Sequence, residues 1–475
     1  MNQESENTFR DHVATMDKEG SRKWAFPKKP KGNYTTKRNW VAYILLLFLF
    51  VAPFLHLIIP GMRNQFLLFN IVERKFSIFG FVFFPQDFYL FAISAVTTLV
   101  FIILFTVVYG RLFCGWICPQ TIFMEMVFRK IEYWIEGDRN KQMKLAKQAW
   151  DAEKIQKRVL KWFIFAVISF VISNLFLMYI LGTEVVLQYI TDGPFNHIEL
   201  FIGLLIFTGL FYFIFTWFRE QVCTIVCPYG RLQGVLVDKD TIMVAYDYKR
   251  GEGEKGRKPF RKGVDRKAEG YGDCIDCDQC VVVCPTGIDI RNGTQLECIN
   301  CTVCMDACDE VMTKMDLPKG LIRYASEYSI ANGTKPRFTL RSKAYTVVLV
   351  LLVGVLFTLL SLRSDYEVKI FHERSNGETF EIQDDFISNT YVFEVVNKTA
   401  NNAKLEFKLV EPRGVITVLN DKDNIIDLKT EGTVKGKFKA SVRRSLILGE
   451  DNFKIEVYNT VDGKLIDTKI VKFNR

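Results

Sequence analysis

A chain of 475 residues is long enough for two or three domains, and 49% hydrophobic residues with 14% aromatics is more apolar than a soluble enzyme needs. The net charge of +9 does not call for nucleic acid, because the basic residues gather beside apolar segments. Twelve cysteines against four histidines favour thiolate chemistry over an embedded haem, which would want axial ligands from facing helices.

Residues 1–39 are polar and carry nine Lys or Arg with no short apolar core or cleavage site, so they read as a cytoplasmic tail that stays with the mature protein. Five apolar segments follow, near 40–60, 89–109, 162–181, 199–218 and 344–362. At about 1.5 Å per residue each is long enough to cross a hydrocarbon core of roughly 30 Å. The connection from Arg111 to Arg158 carries ten Lys or Arg, that from Gly182 to Glu199 none, and residues 61–87 three. This bias predicts a cytoplasmic N-terminus, with 110–161 and 219–343 on the same side and everything after Arg363 outside. Segment 121–161, with Phe128, Tyr133 and Trp134 beside basic residues, reads as interfacial helices covering a cysteine-rich domain. Of His12, His56, His197 and His372 only His56 lies within a span; His56 and His197 read as side chains near the external surface.

Just past the second and fourth spans stand Arg111-Leu-Phe-Cys-Gly-Trp-Ile-Cys-Pro119 and Glu220-Gln-Val-Cys-Thr-Ile-Val-Cys-Pro228, two C-x-x-x-C-P motifs 109 residues apart. The repeat makes the first four spans a duplicated unit. With i and i+4 on one helix face, Cys114, Cys118, Cys223 and Cys227 are expected to converge at the cytoplasmic mouth of the bundle. A soft-metal or thiol-redox site is the functional reading and apolar packing the alternative; spacing does not name the metal.

Residues 249–272 form a Gly- and Lys-rich linker, with nine basic against three acidic residues between Lys249 and Lys267, better suited to anionic lipid than to nucleic acid. Two consecutive C-x-x-C-x-x-C-x-x-x-C tetrads come next, the bacterial-ferredoxin run for two 4Fe-4S clusters. Because the fourth cysteine of each run serves the other cluster, Cys274, Cys277, Cys280 and Cys308 are assigned to one cluster and Cys298, Cys301, Cys304 and Cys284 to the second. Paired zinc sites and a disulfide framework are the competing readings, and both fit this triplet spacing less well. The first tetrad ends Cys284-Pro285 and the second Cys308-Asp309, which predicts a looser turn after Cys308.

Beyond Asp365 the pattern alternates with period two, as in Tyr366–Phe371, Tyr391–Val395, Ala403–Leu409 and Phe453–Tyr458, with turn signals at Ser375-Asn-Gly and Val461-Asp-Gly. The expected whole is a multi-domain membrane protein: an α-helical five-span bundle with a cytoplasmic bacterial-type two-cluster 4Fe-4S ferredoxin domain and a C-terminal immunoglobulin-like β-sandwich. Its divisions are the tail at 1–39, a four-span bundle at 40–248, the linker at 249–272, the ferredoxin-like domain at 273–318, a connector at 319–343, the fifth span at 344–362 and the exported domain at 365–475.

This layout resembles the cytochrome c oxidase accessory proteins of the CcoG, RdxA and FixG type over nearly the whole chain, with Cys114 to Gln120 and Cys223 to Arg231 matching that family's membrane motifs. The resemblance implies reduction of Cu(II) to Cu(I), with copper as substrate or bound ion at Cys114, Cys118, Cys223 and Cys227, in assembly of a cbb-type oxidase in the bacterial inner membrane. Implied partners are a cytoplasmic electron donor, a copper exporter or chaperone and oxidase subunits, with membrane lipid and no nucleic acid; a homo-oligomer is left open. A quinol-oxidising electron-transfer protein and an assembly scaffold are the alternatives.

Overall fold

The structure, a computed structural model, describes residues 14–16, 19, 21–60, 62, 64–72, 75–83, 87–261, 265–266, 268–335, 337–373, 380–383, 385–399, 401–411, 413–419, 424–430, 432–447, 452–460 and 463–473. Much of the basic tail, part of the basic linker, the Ser375-Asn-Gly turn and most of the Val461-Asp-Gly turn lie outside the described residues. The chain forms two compact units, Met1–Leu55 with Phe91–Val355 and His56–Leu90 with Leu356–Arg475.

Each apolar run becomes a helix longer than the run itself. The five helices long and apolar enough to cross a membrane are Asn33–Ile58, Phe88–Tyr109, Ala152–Leu181, Ile198–Phe218 and Leu340–Ser361. The third begins well ahead of its apolar stretch because Asp151 accepts from the Lys154 N–H at 2.9 Å, satisfying a donor the first turn leaves free. It is also the best-buried span, with 39% of its apolar window inside the protein, against none in the fifth.

The segment expected to lie along the interface instead enters the bundle. Residues Phe123–Phe128 form a π-helical turn, and Phe128, fully buried, meets Phe165 at 4.7 Å and Phe215 at 4.8 Å between ring centroids. The polar residues that follow are then buried too and pair with one another. Trp134, 76% exposed, stays on the surface.

Strand β4 (Met243–Tyr246) pairs antiparallel with β5 (Ile322–Ala325), so the segment carrying both tetrads leaves and rejoins the chain at one ribbon.

The second unit holds two sheets, one ordered β10 (Val415–Val418), β12 (Thr433–Arg443), β8 (Phe386–Asn397) and β6 (Tyr366–His372) with β7 (Glu381–Gln383) on β8, the other β11 (Ile425–Leu428), β9 (Ala403–Glu411), β13 (Asn452–Asn459) and β14 (Leu465–Lys472). Along β8 (Phe386–Asn397), β9 (Ala403–Glu411) and β13 (Asn452–Asn459), apolar side chains such as Tyr391, Phe393, Leu405, Ile455 and Val457 point into one core. The immunoglobulin-like sandwich expected from alternation is therefore present. The connection after the first span adds a three-stranded sheet of β1 (Leu67–Asn70), β2 (Lys75–Ile78) and β3 (Phe81–Phe83), which sequence reading did not anticipate. It ends at Asp87, whose buried carboxylate binds Lys398 at 2.6 Å and Arg363 at 2.9 Å.

Candidate functional site

The two tetrads build the same backbone twice. The residues on either side of the second cysteine in each, Asp276 and Asp278, then Asn300 and Thr302, have φ of 54°, 55°, 53° and 65°. Asp and Asn enter this left-handed region more readily than most residues, whereas a β-branched threonine normally avoids it. Thr302 is wholly buried there, and its hydroxyl donates to the Cys301 carbonyl at 2.6 Å. Strain of this kind persists where the surroundings over-determine it, and alternating hands turn backbone N–H groups toward an anion. Asp278 and Thr302 then begin the helices Gln279–Val282 and Val303–Lys314.

Cys274, Cys277, Cys280 and Cys308 line one cavity, and Cys284, Cys298, Cys301 and Cys304 line another that Cys280 also touches. These are the two crossed sets of four. No disulfide links any of the twelve cysteines. Among the described residues no group of three Cys, His, Asp or Glu side chains is close enough to hold a single metal ion. Four sulfurs set around a cavity, no three of them close enough to share one ion, fit a multi-iron cluster better than a lone zinc ion. Burial pushes the Cys280, Cys298 and Cys308 thiols up to about 12 and Cys301 up to about 11, so loading displaces protons. Cys277 alone among the eight is exposed.

The looser turn expected after Cys308 does not form. Cys308 and Asp309 lie inside Val303–Lys314, where a proline would remove a helical hydrogen bond, and Asp309 accepts from the Gly320 N–H at 2.8 Å.

The C-x-x-x-C-P motifs also differ from expectation. Cys114 lies in the short helix Leu112–Trp116 and Cys223 in the π-turn Val222–Val226, but Cys118 and Cys227 are N-caps with ψ of 125° and 113°. The i, i+4 helical face is therefore broken in both motifs. The cause is the proline at each first helical position, which drives the preceding residue out of the α region. Cys118 N–H donates to Phe113 O at 3.0 Å and Cys227 N–H to Val222 O at 2.8 Å, the same five-residue closure twice. Duplication extends to Gly110 and Arg219, 109 residues apart, both at positive φ, 54° and 53°.

The four cysteines nevertheless gather. Burial raises Cys114 to about 11 and Cys223 to about 12, and Cys118 and Cys227 lie near enough to add to both. Gln233, fully buried on the helix after the second motif, sits 3.7 Å from Cys114 Sγ through its amide nitrogen. Cys114 packs against the buried cluster of Val283, Ile299, Cys301 and Val303, of which Ile299 and Cys301 line the second cavity. Beside it, a Cβ on Gly115 would stand 2.4 Å from Ile299 O, so glycine is what lets the two loops touch.

Two buried arginines, not singled out from the sequence, sit among these sulfurs. Arg38 donates through Nε to Gly115 O at 2.8 Å, and its Nη2 has no hydrogen-bond partner. Arg111 donates to Gly230 O. Neither has a carboxylate partner among the described residues, which is costly for a buried cation unless an anion is supplied otherwise. Arg111 lowers the thiol pKa of Cys114, Cys223 and Cys298 against the larger effect of burial, and Arg38 does so for Cys301. Both are thus placed as counter-charges to sulfur-ligated metal.

Behind the motifs lies a buried ion network. Arg219 grips Glu132 with two bonds, 2.9 and 2.8 Å, while Lys161 stands 2.7 Å from Glu136 and Arg129 3.2 Å from Glu125 and 3.6 Å from Glu220. Burial would raise the Glu132 carboxyl, but Arg219, Lys161 and Arg129 outweigh it and hold it at about 2. His197 stays apart, 3.5 Å from Asp192 and with its ring 4.3 Å from that of Tyr189, tilted by 49°.

Comparison with known proteins matches residues 218–327 to a family described as 4Fe-4S dicluster domain, 91–142 to one described as 4Fe-4S binding domain, and 356–475 to the IG-like fold at the C-terminus of FixG. Protein RdxA of Cereibacter sphaeroides is 34% identical over 80% of this chain and 80% of its own length, and Protein RdxB of the same organism 35% over 78% and 79%. Nitrogen fixation protein FixG of Rhizobium meliloti is 35% identical over 64% of this chain and 57% of its own. The crystal structure of a FixG-related protein from Vibrio parahaemolyticus aligns with 24% of this chain and 98% of its own, at 12% identity and a TM-score of 0.18. Apolar spans, 4Fe-4S domains and the Ig-like tail agree with these relatives, and the chain belongs to the RdxA and FixG family of membrane iron–sulfur electron-transfer proteins.

Proposed function

We propose that this protein reduces Cu(II) to Cu(I) at Cys114, Cys118, Cys223 and Cys227 on the cytoplasmic side of the bacterial inner membrane, for assembly of a cbb-type cytochrome c oxidase. The observation that carries this reading is the packing of Cys114 against the buried cluster of Val283, Ile299, Cys301 and Val303, of which Ile299 and Cys301 line the second tetrad cavity. Cys274, Cys277, Cys280 and Cys308 would hold one 4Fe-4S cluster and Cys284, Cys298, Cys301 and Cys304 the other. When bound, these groups supply one-electron transfer. Each Cu(II) takes up one electron, and a cytoplasmic donor is oxidised by the same amount; exposed Cys277 marks where that donor docks. The motif thiolates favour the soft Cu(I) product over Cu(II), and Gln233 orients Cys114 beneath it. Cu(I) then passes to an exporter or chaperone.

The test is anaerobic: add Cu(II) to the pre-reduced protein and follow cluster oxidation by EPR together with Cu(I) captured by a chromogenic chelator. Cys→Ser replacements at 114, 118, 223 and 227 are expected to abolish Cu(I) formation while leaving the EPR signals; unchanged cupric reduction would refute the assignment.

A second reading is favoured by the match of residues 91–142 to a 4Fe-4S binding domain, together with the spread of the four motif sulfurs. Here the quartet holds an iron–sulfur group of its own. Iron in excess of two four-iron clusters, lost in the same four replacements, would select it.

A further inference from the structure

A cavity of about 640 Å³ opens beside the ion network, between the start of the third span and the end of the fourth. Its lining carries four cations, Lys154, Arg158, Lys161 and Arg219, and two carboxylates, Glu132 and Glu136, so it keeps two positive charges. The next pairs outward, Arg22 and Arg129 with Glu125 and Glu220, cancel and leave that excess standing. Asp151, the other acid near Lys154, is exposed at a helix cap and faces solvent. Lys154, Lys161 and Arg219 are each 6% exposed. Lys154 Nζ has no carboxylate partner among the described residues; it bonds Ala146 O at 3.2 Å and Gln148 O at 2.5 Å and lies over the Trp150 ring.

An uncompensated pair of buried charges is expensive, and an anion in the cavity would relieve the cost. The walls say which kind. Trp24, Trp150, Trp162 and Trp217 are each at least 41% exposed around the mouth, while Phe165 is buried in its floor. The third apolar run begins at Trp162 and the fourth ends at Phe218, so this is the depth at which hydrocarbon gives way to headgroups, where tryptophan collects. Basic pockets between spans at that depth hold anionic headgroups.

We propose that this cavity binds the phosphodiester headgroup of an anionic membrane lipid, its phosphate facing Lys154, Arg158 and Arg219 and its glycerol and upper chains lying against the tryptophans. The lipid bridges the α-hairpin of the first motif and the fourth span that leads to the second.

Native mass spectrometry of the full-length, cluster-loaded protein in neutral detergent tests this with phosphatidylglycerol, phosphatidylcholine and inorganic phosphate as probes. One phosphatidylglycerol is expected to remain bound where phosphatidylcholine exchanges away, and this comparison needs no variant. Lys154→Gln and Arg158→Gln should each weaken retention roughly fivefold, with Lys154→Arg restoring it. Equal retention of phosphatidylcholine, or unchanged binding in the double variant, would overturn the proposal. Displacement of the lipid by inorganic phosphate at equal concentration would overturn it also, by making free phosphate the ligand.

Discussion

Replacing Gly115 by alanine tests whether the motif loop and the second tetrad loop function as one packed body. The added methyl would stand 2.4 Å from Ile299 O and 3.0 Å from both the carbonyl carbon and oxygen of Asn300. Ordinary contact begins near 3.4 Å, so the loops must part by about 1 Å. The obstacles are main-chain atoms, which have no rotamer to escape into, and Asn300 is held further by its side chain, 3.3 Å from the Val244 N–H. Overpacking of this kind costs about 1–3 kcal/mol. If the shift also breaks the 2.8 Å bond from Arg38 to Gly115 O, a charged hydrogen bond worth about 1.5–3 kcal/mol goes with it. Alanine's better helix propensity returns at most about 1 kcal/mol. With that return taken in full, a net loss of about 1.5–5 kcal/mol is expected if the Arg38 bond breaks and about 0–2 kcal/mol if it holds, together with slower Cu(II)-dependent oxidation of the reduced protein. Thermal unfolding of the loaded protein measures the first and stopped-flow absorbance the second. Gly209→Ala is the control, since nothing lies within 4 Å of its would-be Cβ. If Gly115→Ala matches wild type and this control in both assays, the loops do not meet as described.

Glu132→Gln should destabilise the protein by about 3–5 kcal/mol in denaturant unfolding at neutral pH, because buried Arg219 would lose the carboxylate that takes both of its bonds, and Lys161 would keep only Glu136. With the folded carboxyl at about 2 against 4.5 ordinarily, its stabilisation is complete above pH 4.5 and lost as pH falls toward 2; the variant should lack that part of the acid dependence. Arg38→Gln and Arg111→Gln should each lower the midpoint potential of the second cluster by tens of millivolts, since removing a buried positive charge disfavours the more negative reduced state; an EPR-monitored redox titration reads it, and no shift would deny them their counter-charge role. Asp306→Ala should cost about 1–2 kcal/mol and speed amide exchange at Tyr34 and Thr35, whose N–H groups donate to that carboxylate at 3.0 and 2.7 Å.

Spacing made the ligand chemistry legible, since a triplet cysteine rhythm leaves few folds available, and apolar length made the five spans legible. What spacing could not convey was long-range docking. The first span has no side-chain cap of its own; it is capped by Asp306, 271 residues away, inside the second tetrad, and Gly32 at φ 137° is what admits that side chain. Arg38 looked like one more positive charge of a cytoplasmic tail. The motifs misled in a different way: C-x-x-x-C suggests one helical face, yet the proline that completes each motif rules it out. The left-handed residues were half legible, because Asp276, Asp278 and Asn300 are natural occupants of that conformation and Thr302 is not.

The ribbon of β4 and β5 sets Met243 opposite Ala325 and Tyr246 opposite Ile322, so the stretch bearing all eight tetrad cysteines enters and leaves at neighbouring points. Insertions survive in evolution where their two ends already lie together. A module of that kind can be gained, lost or exchanged between lineages without re-threading any span through the bilayer. The surfaces that meet the module, among them those around Gly115, Arg38 and Asp306 and the bonds of Lys28 and Arg139 to Val282 O, then have to be learned anew by each recipient, and inheritance of redox capacity becomes a matter of matching interfaces.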